Sequence, residues 1–242
     1  MKNLDVVQHT SAEYLGLMED HFEGRRIRFK YYRPFTEKGQ PPQPSQVEDA
    51  LILLGGGPWG SAGARDVPTL AEEVALTRVC LERKLPIIAI GLGAQILAIA
   101  AGGGSSEAPL EFRVGRATRI VDDALNGFLP DEYPLITFMR DRPEPPSEAR
   151  ILAVDEANRP ALFQIGQNAF GFAGHPGFKP AMGEDLVMEF EEGPADPAPI
   201  LIALRGQVRE IEDSLVPIMT GLVQVTRLMR RSRSIPIKLI AK

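Results

Sequence analysis

Short apolar runs separated by longer amphipathic stretches are the main pattern of the chain. Residues 50–54 and 85–90 are wholly apolar and too short for helices, which is typical of strands buried on both faces. Between them, residues 66–85 place apolar side chains at helical spacing among charged ones, with a proline early, and this predicts a helix. Strands that alternate with helices in this way predict an α/β fold, an open and mostly parallel twisted sheet with helices on both faces.

Further stretches add elements to this sheet. The pattern predicts a helix over residues 12–22 and a half-buried strand over residues 27–31, where apolar and more polar residues alternate. Residues 34–44 and 130–146 are predicted to be connectors, because proline and polar residues are dense there. The remaining predicted elements are a strand over 111–121, a pair of strands over 151–154 and 161–165, an acidic helix over 184–192, and a helix over 207–229 that Pro217 kinks or restarts.

Length and charge limit the organisation of the chain and its partners. With 242 residues, 44% of them hydrophobic, the chain is long enough for one large domain with a substantial core. We expect residues 1–200 to form that domain and residues 201–242 to form a helical extension packed on it, ending in a basic tail. The net charge of −5 gives no overall electrostatic attraction for nucleic acid, so binding to nucleic acid is not expected. The arginines of the tail are Arg227, Arg230, Arg231 and Arg233, and a solvated face explains them best.

Cysteine usage and hydropathy indicate the compartment. Cys80 is the only cysteine in the sequence, which excludes an internal disulfide and a zinc site built from cysteines. It falls inside the helix predicted over 66–85 and is expected to be a core thiol. No stretch approaches the roughly 18 apolar residues that a membrane span needs, and the first residues lack the apolar core of a signal peptide. We therefore expect a soluble, cytoplasmic protein that needs no metal or cofactor.

A glycine turn follows the apolar run at 85–90. The sequence Gly91-Leu92-Gly93-Ala94-Gln95 leads from that predicted strand into an alanine-rich helical stretch. A buried strand, a sharp turn and a helix form an elbow, in which the turn residue stands at the carboxyl end of the strand. The N–H of the next residue and the N-terminus of the helix point at whatever binds there. Gly91 is the elbow residue of this chain.

A second glycine turn, Gly55-Gly56-Gly57-Pro58-Trp59, follows the apolar run at 50–54. Glycines at the end of a strand let backbone N–H groups approach a ligand closely, which suits an anion or an oxyanion. The turn has neither the Gly-Lys-Ser/Thr of a P-loop nor the Gly-x-Gly-x-x-Gly of a dinucleotide-binding turn, so phosphate binding is a lesser alternative. In another alternative the glycines only form a turn and Trp59 only packs.

Residues 89–95, Ala-Ile-Gly-Leu-Gly-Ala-Gln, resemble the nucleophile elbow Gly-Ile-Cys-x-Gly-x-Gln of class I glutamine amidotransferases, with a pattern nearest to the stand-alone GMP-synthase-type glutaminase domain. Gly91 stands at the position of the nucleophilic cysteine. The turn at 55–59 is similar to the Gly-Gly-Pro oxyanion loop of that family, in which Gly57 and Leu92 would each offer an N–H to the tetrahedral intermediate. The resemblance also implies substrate contacts from Gly56, Trp59 and Gln95.

A third segment, Phe-Gly-Phe-Ala-Gly-His-Pro-Gly at residues 170–177, resembles the family strand Gly-Val-Gln-Phe-His-Pro-Glu. In the family the histidine, kept here as His175, deprotonates the cysteine, and the glutamate two residues later orients the imidazole. Gly177 takes the place of that glutamate. Two further family patterns, Glu-Ile-Gly and His-Gly-Asp, keep only their acids here, as Glu111 and Asp141.

The loss of both the cysteine and the glutamate sets the functional expectation. The resemblance, which covers about residues 4–190, implies a glutamine amidotransferase-like protein with a degenerate triad that no longer hydrolyses glutamine. It would act as a binding or regulatory subunit, with glutamine or a related small molecule, and a synthetase or another protein, as its partners. Small residues at the triad positions could also leave a hollow that binds a ligand.

The alternative is an active amidohydrolase or amidotransferase that acts on glutamine or a γ-glutamyl amide. Such an enzyme would use a non-standard nucleophile, for which Ser61, Ser105 and Ser106 are the nearby hydroxyls in the sequence. It could instead use a water molecule activated by His175.

Overall fold

The computed structural model describes residues 2–229 of the chain. Its strands are β1 (Asn3–Val7), β2 (Arg28–Tyr32), β3 (Ala50–Leu53), β4 (Ile87–Ile90), β5 (Gly104–Ser106), β6 (Glu111–Arg119), β7 (Glu132–Met139), β8 (Arg142–Glu144), β9 (Arg150–Asp155), β10 (Pro160–Ile165) and β11 (Ala169–Phe172). Its α-helices are α1 (Met18–Gly24), α2 (Leu70–Glu82), α3 (Leu92–Ala100), α4 (Pro180–Glu189) and α5 (Ala198–Val225).

Nine of these strands form one sheet in the order β2-β1-β3-β4-β11-β10-β9-β6-β7, and β5 pairs with β8 separately. The five strands from β2 to β11 run parallel, whereas each pair from β11 to β7 is antiparallel. At the centre of the parallel part, Ile88 of β4 is in register with Ile52 of β3 and with Phe170 of β11. The carboxyl ends of β1, β3, β4 and β11 therefore meet at one edge, where ligands bind in such sheets.

Helices cover both faces of the sheet, and the alternation of side chains along β3 shows how. Leu51 and Leu53 pack in one core with α2 and α3, whereas Ile52 packs in the other core with α1 and α5. Because both faces are covered, the strand has to be apolar at every position, as the run at 50–54 is. The predicted fold class is confirmed.

A third core lies over the antiparallel part of the sheet. Met182 and Leu186 of α4 pack there against Phe112 of β6 and Phe138 of β7, and Ile211 of α5 joins them. Other residues of α5 contribute to the core beside α1. The helix that follows residue 197 therefore packs on the same cores as the rest of the chain.

The helix predicted over 12–22 is wrong in its first half, because α1 begins only at Met18. Gly16 has a φ of +61°, in the left-handed region, and the Leu17 N–H donates to Gly177 O at 2.9 Å instead of to a carbonyl one turn earlier. The preceding residues form an irregular segment, here named the β1–α1 loop (residues 8–17). The local pattern that predicts a helix over 12–22 contains no sign of a partner more than 150 residues away.

The connector predicted over 130–146 is also wrong, because most of it is β7 and β8. Every residue of β7 after Glu132 is buried. Pro134 lies within this strand, and it is tolerated because β7 is the edge of the sheet, where the missing N–H removes no ladder bond.

Pro217 neither restarts nor ends a helix, since α5 is one continuous element from Ala198 to Val225. The apolar residues on both sides of it, Leu215 and Ile218, are buried in the same core. This shared packing holds the two halves of the helix together despite the proline. Of the predicted tail arginines, Arg230, Arg231 and Arg233 lie outside the described residues.

Candidate functional site

The elbow forms as the sequence indicates. Gly91 connects β4 directly to α3 with φ +56° and ψ −116°, and its N–H donates to Phe172 O of β11 at 2.9 Å. A Cβ built on Gly91 would have one neighbour within 4 Å, the Cα of Gly55 at 3.3 Å. The bend that presents a nucleophile in the family is present, and a Cβ at this position would be in close contact with the backbone of Gly55.

The glycine turn after β3 lies beside the elbow. A Cβ at Gly56 would come within 2.4 Å of the Leu92 side chain, so the turn packs closely on the start of α3. Gly57 has a φ of +55°, and the ring of Phe190 would lie 2.9 Å from a Cβ there. Phe190, just after α4, therefore covers the turn.

The N–H of Gly57 already has an acceptor. It donates to Oε2 of Glu13, in the β1–α1 loop, at 2.5 Å. The position that the resemblance assigns to an oxyanion thus holds a carboxylate from the same chain. A Cβ on Gly55 would lie 1.9 Å from the other carboxylate oxygen of Glu13, so this glycine makes room for the acid.

Glu13 is an unusual acid because its carboxylate is buried and few hydrogen bonds compensate for the loss of hydration. Burial raises its pKa to about 7, against the lowering effects of the Gly57 N–H and of His9, while Glu189 adds to the rise. The carboxyl group can therefore gain or lose its proton near neutral pH. No pattern in the sequence analysis singled it out.

His9 and Glu73 form a second buried pair next to Glu13. Nε2 of His9 lies 2.7 Å from Glu73 Oε2, and Nδ1 lies 3.1 Å from the carbonyl oxygen of Gly55. Burial works to lower the pKa of His9, but the Glu73 carboxylate outweighs it and holds the pKa above the ordinary value. Both ring nitrogens then donate, and the imidazolium ties β1 to α2 and to the glycine turn. His9 stands just after the apolar strand β1, which was the available signal for it, whereas Glu73 lies within α2.

His175 lies at the same edge as the elbow but is held by backbone groups. Its Nε2 lies 2.8 Å from the carbonyl oxygen of Tyr14, and its Nδ1 accepts the Gly177 N–H at 3.1 Å. Burial lowers its pKa to about 4, so the ring is neutral at pH 7. The neutral tautomer that satisfies both contacts carries its hydrogen on Nε2, and neither nitrogen is left for a nucleophile or a water molecule.

Gly177, at the position of the orienting glutamate, is closed off by the β1–α1 loop. A Cβ there would meet Met18 Cγ at 2.9 Å and the Met18 nitrogen at 3.0 Å. In the opposite direction, a Cβ on Gly16 would lie 2.2 Å from Gly177 O. Glycine at residues 16 and 177 allows the loop to approach His175. Residues 13–18 therefore occupy part of the hollow that was expected beside the triad positions.

Gln95 and Trp59, the other predicted substrate contacts, make contacts within the protein. Gln95 is fully buried, accepts the Ser61 hydroxyl at 2.6 Å and donates to the Arg140 carbonyl at 2.7 Å. Trp59 is half-buried, with the Arg65 guanidinium 5.0 Å from its ring centre. A role for these side chains in binding a substrate stays a prediction.

The acid kept from the His-Gly-Asp pattern supports the glycine turn. Asp141 is fully buried and accepts the N–H groups of Ser61, Ala62 and Ala108 at 2.9, 3.0 and 3.2 Å. Glu111, the other retained acid, pairs with Arg142 and Arg113 instead.

The remaining candidate nucleophiles are placed elsewhere. Ser105 and Ser106 belong to β5, in the separate two-stranded sheet, and Ser61 donates its hydroxyl to Gln95. Cys80 is buried in α2, and burial raises its pKa to about 11, so it is a protonated core thiol. None of these four residues lies at the elbow.

Comparison with known proteins identifies the family. The sequence pattern described as "Glutamine amidotransferase class-I" matches residues 19–190, which include the glycine turn, the elbow and His175. The chain belongs to this family. The match begins after the β1–α1 loop, so His9 and Glu13 lie outside the part that the pattern covers.

Among curated relatives, the amidotransferase-family chain is similar to the carbamoyl phosphate synthase small chain. It is 26% identical to that protein of Vibrio cholerae serotype O1 over 167 residues, and 28% identical to that of Vibrio parahaemolyticus over 161 residues. Each match covers 66% of this chain but 39% of the relative. The matched part thus spans about two-fifths of the length of these relatives.

Solved structures agree on the fold. A glutamine amidotransferase from Thermotoga maritima superposes with a TM-score of 0.76 at 22% identity, covering 93% of this chain and 98% of its own. A glutamine amidotransferase from Methylobacillus flagellatus gives 0.79 at 21% identity, covering 97% and 98%.

Two other features are absent from residues 2–229. No helix in this range is both long and apolar enough to cross a bilayer. The same range contains no group of three or more His, Cys, Asp or Glu side chains arranged to hold a metal ion.

Proposed function

We propose that this chain is a glutamine amidotransferase-like protein without glutaminase activity, which acts as a binding or regulatory subunit. The observation that carries the proposal is the engagement of His175 with Tyr14 O and the Gly177 N–H, at the same sheet edge as an elbow that has no side chain. In the family mechanism, a thiolate attacks the amide carbon and the histidine transfers the proton. Here residue 91 has no atom that can attack, and His175 has no free nitrogen to accept a proton.

The expected loss of glutaminase activity is large. Removing one member of a catalytic triad costs on the order of 10⁴ to 10⁶ in rate, and removing the nucleophile ends covalent catalysis. The oxyanion position adds a further obstacle, because Glu13 holds the Gly57 N–H that would otherwise stabilise the intermediate.

The active alternative has less support from the geometry. A water molecule activated by His175 would need a basic imidazole, but the pKa of His175 is lowered to about 4 and its Nδ1 accepts a backbone N–H. A serine nucleophile would need to stand at the elbow, and Ser61, Ser105 and Ser106 do not.

The partner that we propose is a protein of the synthetase class. The relatives from Vibrio are named as the small chain of a carbamoyl phosphate synthase, and the structure of PurLQS from Thermotoga maritima is similar at a TM-score of 0.50. We further propose glutamine or a related small molecule as the ligand. The cytoplasm is the proposed location.

Ammonia release from glutamine by the purified chain, measured with a coupled glutamate dehydrogenase assay, tests the proposal. We expect wild type and His175→Ala to give the same background rate. Gly91→Cys should also stay inactive, because a thiol alone restores neither the orienting glutamate nor the free Gly57 N–H. Ammonia release in wild type that disappears in His175→Ala would refute the proposal and support the water-based alternative.

A further inference from the structure

We propose that a small cavity beside β6, β7 and β9 binds one monovalent anion of the size of chloride. The cavity has a volume of about 30 Å³, and its wall includes Arg113 of β6, Thr137 of β7 and Asp155 of β9. Gly91 and His175 do not line it. The site is therefore separate from the elbow, and the inference does not depend on whether the chain releases ammonia.

Two polar atoms in the wall of the cavity have no hydrogen-bond partner. Thr137 is 6% exposed, and its hydroxyl oxygen is buried without a hydrogen bond to any other part of residues 2–229. The same holds for Nε of Arg113. These two residues are directly opposite each other in the β6–β7 register, so their Cβ atoms stand about 5 Å apart on one face of the sheet. Because buried polar groups are almost always hydrogen-bonded, two unpartnered ones in one cavity point to a bound acceptor that both can share.

The carboxylates in the wall do not supply that acceptor. Asp155 accepts two backbone N–H groups at 2.8 and 2.9 Å, Nε of Arg159 at 2.7 Å and Nη2 of Arg113 at 3.1 Å, which uses the acceptor positions of both its oxygens. Glu111 pairs with Arg142. The other oxygen of Glu111 lies 3.3 Å from Nε of Arg113 but forms no hydrogen bond with it. The acceptor therefore has to come from outside the chain.

The charges in the wall favour an anion as that acceptor. Three guanidinium groups outnumber two carboxylates by one, and these groups belong to Arg113, Arg142, Arg159, Glu111 and Asp155. Glu156 also pairs with Arg113, but it is half exposed to water and is not part of the wall. Burial lowers the pKa of Arg142, and the charges of Arg159 and Arg113 lower it further, against the raising effect of Glu111. The guanidinium groups thus repel one another, and an anion among them reduces that repulsion.

The size and the other walls of the cavity select the kind of anion. A volume of about 30 Å³ is that of one water molecule in the liquid, which suits one chloride ion but not phosphate or sulfate. A water molecule would also have to donate two hydrogens, and the carboxylates are already engaged. Leu135, Pro143 and Pro160 are further parts of the wall, and their side chains offer no acceptor. Chloride only accepts, and apolar surroundings strengthen its attraction to the guanidinium groups.

The stability of the full-length protein in matched sodium salts tests the inference. Wild type, Thr137→Val and Thr118→Val are unfolded by heat in sodium chloride and in sodium gluconate of equal ionic strength, and circular dichroism gives Tm. Gluconate is too large for the cavity. Thr118→Val, at an exposed position on β6, makes the same chemical change outside the cavity and is the matched control.

The general effect of the two salts is common to all three proteins, so a difference between the variants reports on the cavity. Thr137→Val keeps the shape of the side chain but lacks the hydroxyl donor, and we expect its Kd for chloride to be about tenfold weaker than that of wild type. With chloride at about ten times the wild-type Kd, the change in Tm from gluconate to chloride should then be about 2–4 °C smaller in Thr137→Val than in wild type and Thr118→Val.

Wild-type crystals grown in sodium bromide locate the ion without any variant. Bromide replaces chloride and scatters anomalously, so we expect an anomalous peak within hydrogen-bond distance of Thr137 Oγ1 and Arg113 Nε. Thr137→Ser keeps the hydroxyl group and should keep both the peak and the salt response. Density at this position without an anomalous signal would identify a water molecule and overturn the inference. Equal salt responses in Thr137→Val and Thr118→Val would overturn it as well, since any bromide peak would then be an adventitious ion only.

Discussion

Substitution of Gly177 by alanine tests whether the β1–α1 loop closes the position of the orienting glutamate. The added Cβ would lie 2.9 Å from Met18 Cγ, 3.0 Å from the Met18 nitrogen and 3.3 Å from the Leu17 nitrogen. The first of these atoms belongs to a flexible side chain and can move. The other two are backbone atoms at the start of α1, so the loop or the helix has to shift.

The expected cost follows from these contacts. Overpacking a well-packed core costs about 1–3 kcal/mol, and the bond from the Leu17 N–H to Gly177 O, 2.9 Å long, contributes about 1 kcal/mol if the shift breaks it. We therefore expect Gly177→Ala to lower the free energy of unfolding by about 2–3 kcal/mol. For a chain of this size, each kcal/mol lowers Tm by about 2–4 °C.

Urea unfolding followed by far-UV circular dichroism measures the effect. Gly193→Ala is the matched control, because a Cβ there meets no atom within 4 Å, and it should stay within about 0.5 kcal/mol of wild type. If Gly177→Ala unfolds at the same urea concentration as Gly193→Ala, the loop does not pack against residue 177 in solution. The explanation for the engaged His175 would then fail as well.

Four other predictions follow from single sites. Gly206→Ala, on the exposed side of α5, should stabilise the protein by about 0.5–1 kcal/mol in the same urea assay, and a loss of stability would contradict an exposed helical position. In the folded protein the pKa of His175 is lowered to about 4, so the neutral ring stabilises the fold above pH 6.5, and this contribution is lost as the pH falls from 6.5 through 4. Between these pH values, the free energy of unfolding of wild type should therefore fall by about 1.4 kcal/mol more per pH unit than that of His175→Gln. Urea unfolding at several pH values measures the difference. Asp141→Ala leaves three backbone N–H groups without their acceptor and should lower the free energy of unfolding by about 3 kcal/mol in the urea assay. A negligible change would mean that water reaches these N–H groups. Cys80, buried and with its pKa raised to about 11, should react with a disulfide reagent only after urea unfolds the chain, and rapid labelling of the folded protein would contradict its burial.

The elbow and the sheet could be predicted because their signals are local. An apolar run of strand length followed by Gly91 specifies a buried strand and a sharp turn without reference to any other part of the chain. The same holds for the turn after β3 and for the alternating strand that became β6. The local signal misleads at Pro134, which predicts a connector but lies within β7. A proline is tolerated there because β7 is at the edge of the sheet, and that depends on the strand order rather than on the local sequence.

The placement of Glu13 and Tyr14 in the site could not be predicted, because it depends on contacts between residues far apart in the sequence. Glu13 meets Gly57 across 44 residues, and Tyr14 meets His175 across 161. The sequence around Glu13 has the propensities of a helix start, and only the approach of Gly177 to Gly16 redirects it. The resemblance assigns residues 91, 175 and 177 to the triad positions, but the loop that packs beside His175 and Gly177 became visible only in the three-dimensional structure.

The residue types at positions 91 and 177 and the position of the β1–α1 loop are physically coupled. A thiolate at residue 91 would stand next to the buried Glu13 carboxylate, and two negative charges in one low-dielectric site oppose each other, which raises the pKa of both groups. A glutamate at residue 177 would collide with Met18 and displace the loop that carries Glu13 and Tyr14. With glycine at both positions, Tyr14 O accepts a hydrogen bond from His175 Nε2, and the Glu13 carboxylate accepts one from the Gly57 N–H. Glycine at residue 177 therefore accommodates the loop whose Glu13 carboxylate accepts the Gly57 N–H.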